Sequence, residues 1–412
     1  MNKKSFENTL FVLYSVAIGL FFFGDILRKI AMFFNCDFTR YSTVSKIIVL
    51  FLFLVFFAAN LKNYSRQDHF KKVITCIIVL IISFFVGQIS LDNITQPLNI
   101  TLNIEYLVKY LFLPIIILMF LELKNKPEYI EKIVKIFEWV FFINAAFVLI
   151  GFCFKINELS TYSGDRFGYI GIFSRSGQAS FFSIIFIILN YWQIKLKKNC
   201  IIKFKFIFSV IVSLLLGTKR IYLFLIILFL YFIFIDKGYK KRATYRTSAL
   251  IILVGLFFNQ LVIKSFNRVF IVFQNNYYNN GFLYSVTSSR SDLFFKTFND
   301  FVQTNWTLPN YFFGGPSFQN YIFITGMDFF DLFLFFGIIG VVVYFKIFSL
   351  LINFKQRDSF IRFYLIILGI TSFFSSAFLY DPYVNLLFVI TIWYFNHHKD
   401  KLTLQTTPNQ TI

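Results

Sequence analysis

Apolar segments of roughly 13 to 23 residues follow one another along most of the chain, separated by short polar stretches. Such segments are typical of membrane-spanning helices, which need about 20 apolar residues to cross a bilayer. They predict about twelve spans, in the ranges 9–24, 47–59, 73–91, 107–121, 134–154, 177–192, 204–216, 221–235, 249–263, 329–351, 360–378 and 383–395. The first lacks a cleavage site of small residues, so it is interpreted as a retained span rather than a signal peptide.

One long polar interval, 264–328, interrupts this pattern. A loop of this length between spans is usually functional or disordered, and its many aromatic residues argue against disorder. Within it, Leu293, Phe294 and Thr297 recur at helical spacing just after Arg290. This spacing predicts short interfacial helices in the loop, one of them carrying Arg290.

The composition favours a membrane protein over a soluble one. Apolar residues make up 58% of the chain and charged residues 15%, with a mean hydropathy of +0.69. That balance leaves too little polar surface for a soluble globule. Because no linker or repeat divides the chain, we expect an all-α polytopic membrane protein. It would have one helical domain over 1–396, an outer loop over 264–328 and a cytoplasmic tail over 397–412.

The formal net charge of +20 would suit a nucleic-acid ligand, but the basic residues lie in short clusters between apolar segments. That placement is typical of topology signals, so no nucleic-acid partner is expected. With both termini in the cytoplasm, about 26 of the 40 Lys and Arg residues fall in cytoplasmic segments. The positive-inside rule therefore predicts cytoplasmic termini and an outer location for the 264–328 loop.

Ionisable residues at membrane depth cost roughly 2.5 to 3.5 kcal/mol each and need a polar environment. Arg166 and Arg175 lie in a glycine-rich stretch before the sixth segment, where they either bind a phosphate or anchor the chain at the interface. Lys219 and Arg220 join two short apolar segments with almost no loop. They either line a polar cavity or extend to water at the interface.

A further group comprises Arg290 in the loop and the pair Asp328 and Asp331 at the start of the tenth segment. The two aspartates are three residues apart and share one helical face, so they either carry chemistry or cap the helix. Glu105 and Lys109, four residues apart, are interpreted as an ordinary structural pair. The four Cys and three His show no ligand spacing, so no metal or other cofactor is expected.

Four short motifs, in their order along the chain, resemble the O-antigen polymerase and ligase superfamily. They are GTKR at 217–220, SSRSDLF at 288–294, GGPSF at 314–318 and DFFDLFLFFGIIG at 328–340. The resemblance covers most of the chain in topology and is to the polymerase branch, the Wzy-type polymerases of O-antigen or capsular polysaccharide.

By this resemblance, Arg220, with Lys219 beside it, and Arg290 match two arginines that are functional in the ligases. The functional histidine of the ligases has no counterpart, and Asp328 stands in that region, which favours a polymerase. Some polymerases also have an Arg followed after ten residues by Gly in an outer loop. Arg166 begins a stretch with that spacing.

The resemblance implies a metal-independent glycosyltransferase in the bacterial cytoplasmic (inner) membrane. It would move a growing glycan from undecaprenyl pyrophosphate onto a sugar hydroxyl of the next lipid-linked repeat unit. The product would be the O-antigen of lipopolysaccharide, a capsule or a related surface glycan. Its partners would be the undecaprenyl-pyrophosphate-linked oligosaccharide, the bilayer, a flippase and a polysaccharide chain-length regulator.

Residue roles follow from the chemistry of that reaction. Guanidinium groups match the oxygen pairs of a pyrophosphate and stabilise the charge that develops as it leaves. We therefore expect Arg290 and Arg220 to act on the pyrophosphate, with Asp328 as the general base. The expected substrate-binding residues are Arg166, Arg175, Lys219 and Asp331.

Three alternatives remain open on the sequence. A ligase-like transferase would hand the glycan to lipid A or protein, and a membrane scaffold would have no catalysis. A flippase or other transporter would also combine many spans with buried charge. Transporters, however, commonly have internal repeats and helices broken at matching places, whereas the proline residues here mostly avoid segment interiors.

Overall fold

The computed structural model describes residues 3–406 except 37, 39, 66, 68, 93–99, 163–166, 198, 239–258, 288, 316–324, 353–358 and 374–375. The described residues form helices and connecting turns. They contain no strand, only an isolated bridge between Ser160 and Tyr169. The all-α prediction is confirmed for this part of the chain.

The helices are α1 (Lys3–Phe33), α2 (Tyr41–Ala59), α3 (Leu61–Tyr64), α4 (Phe70–Ile89), α5 (Ile100–Phe120), α6 (Pro127–Phe154), α7 (Ser176–Leu196), α8 (Cys200–Leu214), α9 (Lys219–Phe234), α10 (Asn259–Thr287), α11 (Arg290–Thr297), α12 (Gln303–Asn305), α13 (Leu308–Phe313), α14 (Asp328–Leu351), α15 (Ser359–Phe373) and α16 (Pro382–Thr406). A π-helical turn, Phe298–Val302, connects α11 to α12.

Helices occupy eleven of the twelve predicted apolar segments, and the remaining one, 249–263, lies mostly outside the described residues. Among the described residues, 7 helices are long and apolar enough to cross a membrane. These are Lys4–Phe33, Tyr41–Ala59, Phe70–Ile89, Leu102–Asn125, Pro127–Phe154, Ser176–Leu196 and Asp328–Leu351. The chain is therefore an all-α membrane protein.

The predicted loop and tail are more helical than the sequence pattern indicates. The first part of the 264–328 interval belongs to α10, which runs to Thr287 with a break at Gly281. The predicted short helix at Arg290 is present as α11. The last helix, α16, continues past the predicted end of its apolar segment as far as Thr406.

Contacts between helices place many of their termini at two ends of the bundle. At one end, called the site end below, the bonded pairs are Arg28 with Ser174, Gln88 with Asn103, and Lys46 with Asp381. At the opposite end they are Glu7 with Lys126, Glu138 with Lys205, and Glu131 with His398. The segments predicted to lie outside meet at the site end.

Two helices form the centre of the bundle. Every side chain from 178 to 192 in α7 and from 383 to 395 in α16 is buried. Between these helices the rings of Phe182 and Tyr383 stack with their centroids 5.5 Å apart. A helix that is buried on all sides needs no amphipathic pattern. This packing fixes the N-termini of α7 and α16 at the site end.

The segment that follows α13 inserts against a break in α14. Gly337 has φ 61 and ψ −162, a conformation that ends the regular helix locally. The N–H of Gly315 donates to the carbonyl of Leu334 at 3.0 Å. A Cβ on Gly337 would lie 2.3 Å from the carbonyl carbon of Phe312. Non-helical backbone at membrane depth must be buried in protein and hydrogen-bonded, and these contacts do both.

The same segment is tied to α4. The side-chain amide of Asn310 donates to the carbonyls of Gly87 and Gly314, at 2.8 and 2.7 Å. A Cβ on Gly87 would lie 2.5 Å from the Gly314 carbonyl oxygen. The indole of Trp306 donates to the Gly315 carbonyl at 3.1 Å. The paired glycines of the GGPSF motif therefore allow close backbone packing between α4 and α14.

Candidate functional site

Several helix N-termini and one turn converge at the site end. Helices α7, α9, α11 and α14 begin there, and the turn 376–380 precedes α16. Together they bring Arg220, Arg290, Asp328 and Asp331 close enough for their charges to interact. Residues that the sequence separates widely thus form one cluster.

Arg220 lies in the first turn of α9 and points into the protein. Its Nη1 donates to the Gly177 carbonyl at 3.1 Å and its Nη2 to the Ser376 carbonyl at 3.3 Å. The guanidinium carbon lies 4.3 Å from the ring centroid of Phe181. Its Nε is buried and has no hydrogen-bond partner among the described residues. This arrangement does not fit a side chain that extends to water at the interface.

Lys219, the neighbouring basic residue, has a different set of contacts. Its Nζ donates to the Ser285 carbonyl and lies 5.4 Å from the ring centroid of Phe273. Both contacts are to α10, on either side of the break at Gly281. Lys219 therefore holds α10 against the start of α9.

Arg290 begins α11 directly after Ser289, whose left-handed φ of 66 interrupts the helical backbone between α10 and α11. Its side chain lies against the backbone at Gly326, where a Cβ would be 3.0 Å from Arg290 Nε. Burial lowers the pKa of Arg290, and the phenol of Tyr380 and the carboxylate of Asp328 oppose that shift. A partly desolvated guanidinium attracts an anion more strongly than one in water.

Asp328 is fully buried, and the main chain surrounds its carboxylate. Oδ1 accepts a hydrogen bond from the Ala377 N–H at 3.0 Å, and Oδ2 accepts one from the Phe378 N–H at 2.9 Å. Ala377 has a φ of 106, which is strained for a residue with a side chain. Asp328 thus holds a strained turn in place at the entrance to α16, and it does not cap its own helix.

Asp331 is also fully buried, but only one of its oxygens is bonded. Oδ1 accepts from the N–H and the hydroxyl of Thr325, at 2.7 and 2.8 Å. Oδ2 has no hydrogen-bond partner among the described residues. A buried carboxylate oxygen without a donor is costly, so this atom would be stabilised by accepting a proton or a hydrogen bond.

Tyr380 is a site residue that the sequence analysis missed. Its hydroxyl donates to Ser376 Oγ at 3.1 Å, and it interacts electrostatically with Arg175, Arg220 and Arg290. Burial, reinforced by the charge of Asp328, raises the pKa of Tyr380 to about 12. The phenol therefore stays protonated at neutral pH and can donate a hydrogen bond. No sequence motif marks it, because one tyrosine among 23 carries no spacing signal.

The glycine-rich stretch before α7 is only partly described. Arg175 is the N-cap residue of α7; it is exposed and lies close enough to Tyr380 and Tyr106 to interact with them electrostatically. Arg166 falls in 163–166, outside the described residues. The structure therefore connects Arg175 to the cluster through Tyr380.

The cluster combines charges of both signs in a largely buried volume. Two guanidinium groups can bind a polyanion, one carboxylate oxygen can accept a proton, and a protonated phenol can donate a hydrogen bond. Among the described residues, no group of three or more His, Cys, Asp and Glu is placed to hold a metal ion. The arrangement suits the transfer of a group away from an anionic leaving group.

Comparison with known proteins assigns no role to this cluster of residues. No protein-family model matches the chain, and no match is found among curated proteins or solved structures. A functional assignment therefore depends on the residues at the site end.

Proposed function

We propose that this chain is a membrane glycosyltransferase, a polysaccharide polymerase. It joins undecaprenyl-pyrophosphate-linked oligosaccharide units on the outer face of a bacterial cytoplasmic membrane. In this proposal the chain crosses the membrane twelve times, both termini are cytoplasmic and the site end faces outward. The product is an O-antigen, a capsule or a related surface glycan.

One observation carries the proposal: Arg220 and Arg290 meet beside two buried carboxylates at a single end of an apolar bundle. The two carboxylates offset repulsion between the arginines, but the buried Nε of Arg220 has no hydrogen-bond partner among the described residues, so an anion that accepts from it would be stabilised. A pyrophosphate supplies that anion, and its planar oxygen pairs fit the forked donors of arginine. The surrounding membrane helices suit a substrate carried on a lipid.

The proposed reaction exchanges a glycosyl–phosphate bond for a glycosidic bond. The bond between the anomeric carbon and the pyrophosphate oxygen breaks, and the pyrophosphate leaves with the electron pair. A sugar hydroxyl of the acceptor unit attacks the anomeric carbon and gives its proton to a carboxylate. Arg220 and Arg290 stabilise the charge that grows on the departing pyrophosphate.

The geometry favours Asp331 over Asp328 as the group that takes the proton. Both oxygens of Asp328 are engaged by main-chain amides, at 3.0 and 2.9 Å, so protonation there weakens the turn that they hold. Asp331 Oδ2 has no hydrogen-bond partner among the described residues. In this scheme Asp328 is a positioning residue, and Tyr380 donates a hydrogen bond to the leaving group or to the acceptor.

Both carboxylates have an exposed fraction of 0%. An acceptor hydroxyl therefore reaches Asp331 only when covering groups move aside. Thr325 is bonded to Asp331, and the neighbouring Gly326 lies against Arg290. Binding of a pyrophosphate by Arg290 would move that side chain, which couples substrate binding to exposure of the base.

Deletion of the gene tests the function directly. The expected result is surface glycan limited to a single repeat unit, or none, in gels of extracted glycan, because polymerisation follows assembly and flipping of the unit. A plasmid copy of the gene is expected to restore long chains. Long chains that persist in a clean deletion would refute the polymerase.

A further inference from the structure

An apolar cavity of about 260 Å³ lies beside the charged cluster, between the outer helix α11 and the membrane helices α14 and α15. Six phenylalanines form most of its wall: Phe294, Phe298, Phe329, Phe330, Phe333 and Phe373. Thr297 and Thr325 are the polar side chains in its lining, and the Thr325 hydroxyl is already bonded to Asp331. The cavity thus offers little to a sugar, whose hydroxyl groups need partners.

The cavity adjoins the charged cluster. Arg290 and Phe294 are four residues apart on α11, one helical turn, and therefore lie on the same face. Phe294 packs on Phe330 with ring centroids 4.5 Å apart. Thr325 lines the cavity and also holds Asp331. A molecule with an anionic head at Arg290 and an apolar tail would occupy both places at once.

The cavity also reaches the apolar surface of the bundle. Phe373 lines it and is 44% exposed at the end of α15. Ile366, two turns earlier on the same face of α15, is 60% exposed. An exposed apolar stripe on a helix of a membrane protein faces lipid. A hydrocarbon chain therefore has a route from the bilayer into the cavity.

We propose that this cavity holds the head-proximal isoprene units of a polyprenyl pyrophosphate whose pyrophosphate is bound by Arg290 and Arg220. The inference rests on the proposed function, which supplies a lipid pyrophosphate as the substrate. A cavity of roughly 150 Å³ takes one benzene, so the volume here suits about ten carbons, or two isoprene units. The rest of the chain would continue past Phe373 into the bilayer.

The test measures binding to the full-length protein in detergent by isothermal titration calorimetry. The probes are geranyl pyrophosphate, which carries two isoprene units, and inorganic pyrophosphate. Geranyl pyrophosphate is expected to bind at least about tenfold more tightly, because it buries its apolar chain in the cavity. Equal affinities for the two probes would overturn the inference.

Variants of the cavity wall make the test specific. Phe373 is partly exposed, so the variant Phe373→Ser should fold. It is expected to weaken the binding of geranyl pyrophosphate about tenfold and to leave the binding of inorganic pyrophosphate unchanged. Thr297→Met, which fills the cavity, should have the same selective effect. Phe345→Ser, at an exposed phenylalanine elsewhere on α14, is the matched control and should bind both probes normally. The proposal is contradicted if the Phe373 and Thr297 variants lose affinity for both probes, or if they lose affinity for neither.

These outcomes are separate from those of the deletion. Binding is measured without any polymer, so a geranyl preference that depends on Phe373 supports the cavity even if the reaction proves different. Conversely, single-unit glycan in the deletion strain together with equal probe affinities would support the polymerase and refute the cavity.

Discussion

The guanidinium of Arg220 donates a hydrogen bond to the carbonyl of Ser376, 3.3 Å away, although 156 residues separate the two in the chain. The next two amides, those of Ala377 and Phe378, donate to the carboxylate of Asp328. One short turn is therefore held through its carbonyl by a cation and through its amides by an anion. Tyr380 belongs to this turn, so its position depends on both Arg220 and Asp328.

Lysine substitutions test the two central arginines. Arg220→Lys and Arg290→Lys keep the charge and lose the forked donors. Each lost charge-assisted contact, at about 1.5 to 3 kcal/mol, corresponds to a fall in rate of roughly tenfold to 150-fold if the contact forms in the transition state. Glycan chain length at matched protein levels is the measurement.

The control for these variants is Arg40→Lys, at an exposed arginine just before α2. It should support normal polymer. Near-normal polymer from both Arg220→Lys and Arg290→Lys would remove the pair from the active site.

Asparagine substitutions distinguish the two carboxylates. Asp331→Asn keeps an oxygen for Thr325 and loses the proton acceptor, so the protein should fold and its activity should fall about 100-fold or more. Asp328→Asn turns an –NH₂ group toward a main-chain amide and should lower thermal stability. The measurements are the melting temperature in detergent and the length of the glycan.

The two asparagine variants serve as controls for each other. If Asp331→Asn makes polymer of normal length, Asp331 is not the base. If Asp328→Asn melts normally but is inactive, Asp328 is the better candidate for that role.

Gly337→Ala tests the insertion of the segment 308–315 against the break in α14. The conformation at φ 61 and ψ −162 is accessible almost only to glycine and costs about 1 to 3 kcal/mol for other residues. The added Cβ would also lie 2.3 Å from a main-chain carbon of Phe312. A clear fall in melting temperature is expected, together with a loss of polymer. Gly369→Ala, in α15 with nothing within 4 Å, should melt at the same or a higher temperature.

Natural cysteines report the topology. Cys36 is exposed just after α1 at the site end, and Cys200 is exposed at the start of α8 at the opposite end. In spheroplasts, a membrane-impermeant maleimide should label a single-cysteine protein that retains Cys36. The protein that retains Cys200 should be labelled only after permeabilisation. The reverse pattern would place the site end in the cytoplasm and contradict the proposed reaction.

The helices could be predicted from the sequence because each long apolar segment predicts a helix without reference to the rest of the chain. The structural pair Glu105 and Lys109 also followed from local spacing, and the two side chains lie 2.6 Å apart. The helix that carries Arg290 was predicted from the same kind of periodicity. Local patterns suffice where the partners lie within one or two helical turns.

Such local patterns could not predict the tertiary contacts. The spacing of Asp328 and Asp331 predicted a shared face, but their different bonding depends on Ala377 and Thr325, which no local pattern links to them. The insertion at Gly337 was also missed, because a glycine in an apolar segment looks the same whether it breaks a helix or continues it. Both features arise from packing between distant parts of the chain.

The packing of the segment 308–315 against Gly337 in α14 sets an order of assembly. This segment packs against two helices. The ribosome makes α4 before the segment, but it makes α14, which contains Gly337 and Leu334, after the segment. The segment 308–315 is therefore synthesised before half of its binding surface exists, and in the proposed topology it also crosses the membrane before then. It can dock only once α14 has entered the membrane, and the turn bound by Asp328 comes later still. Completion of the site is thus a late event in biogenesis, and a chain truncated before α14 could not form it.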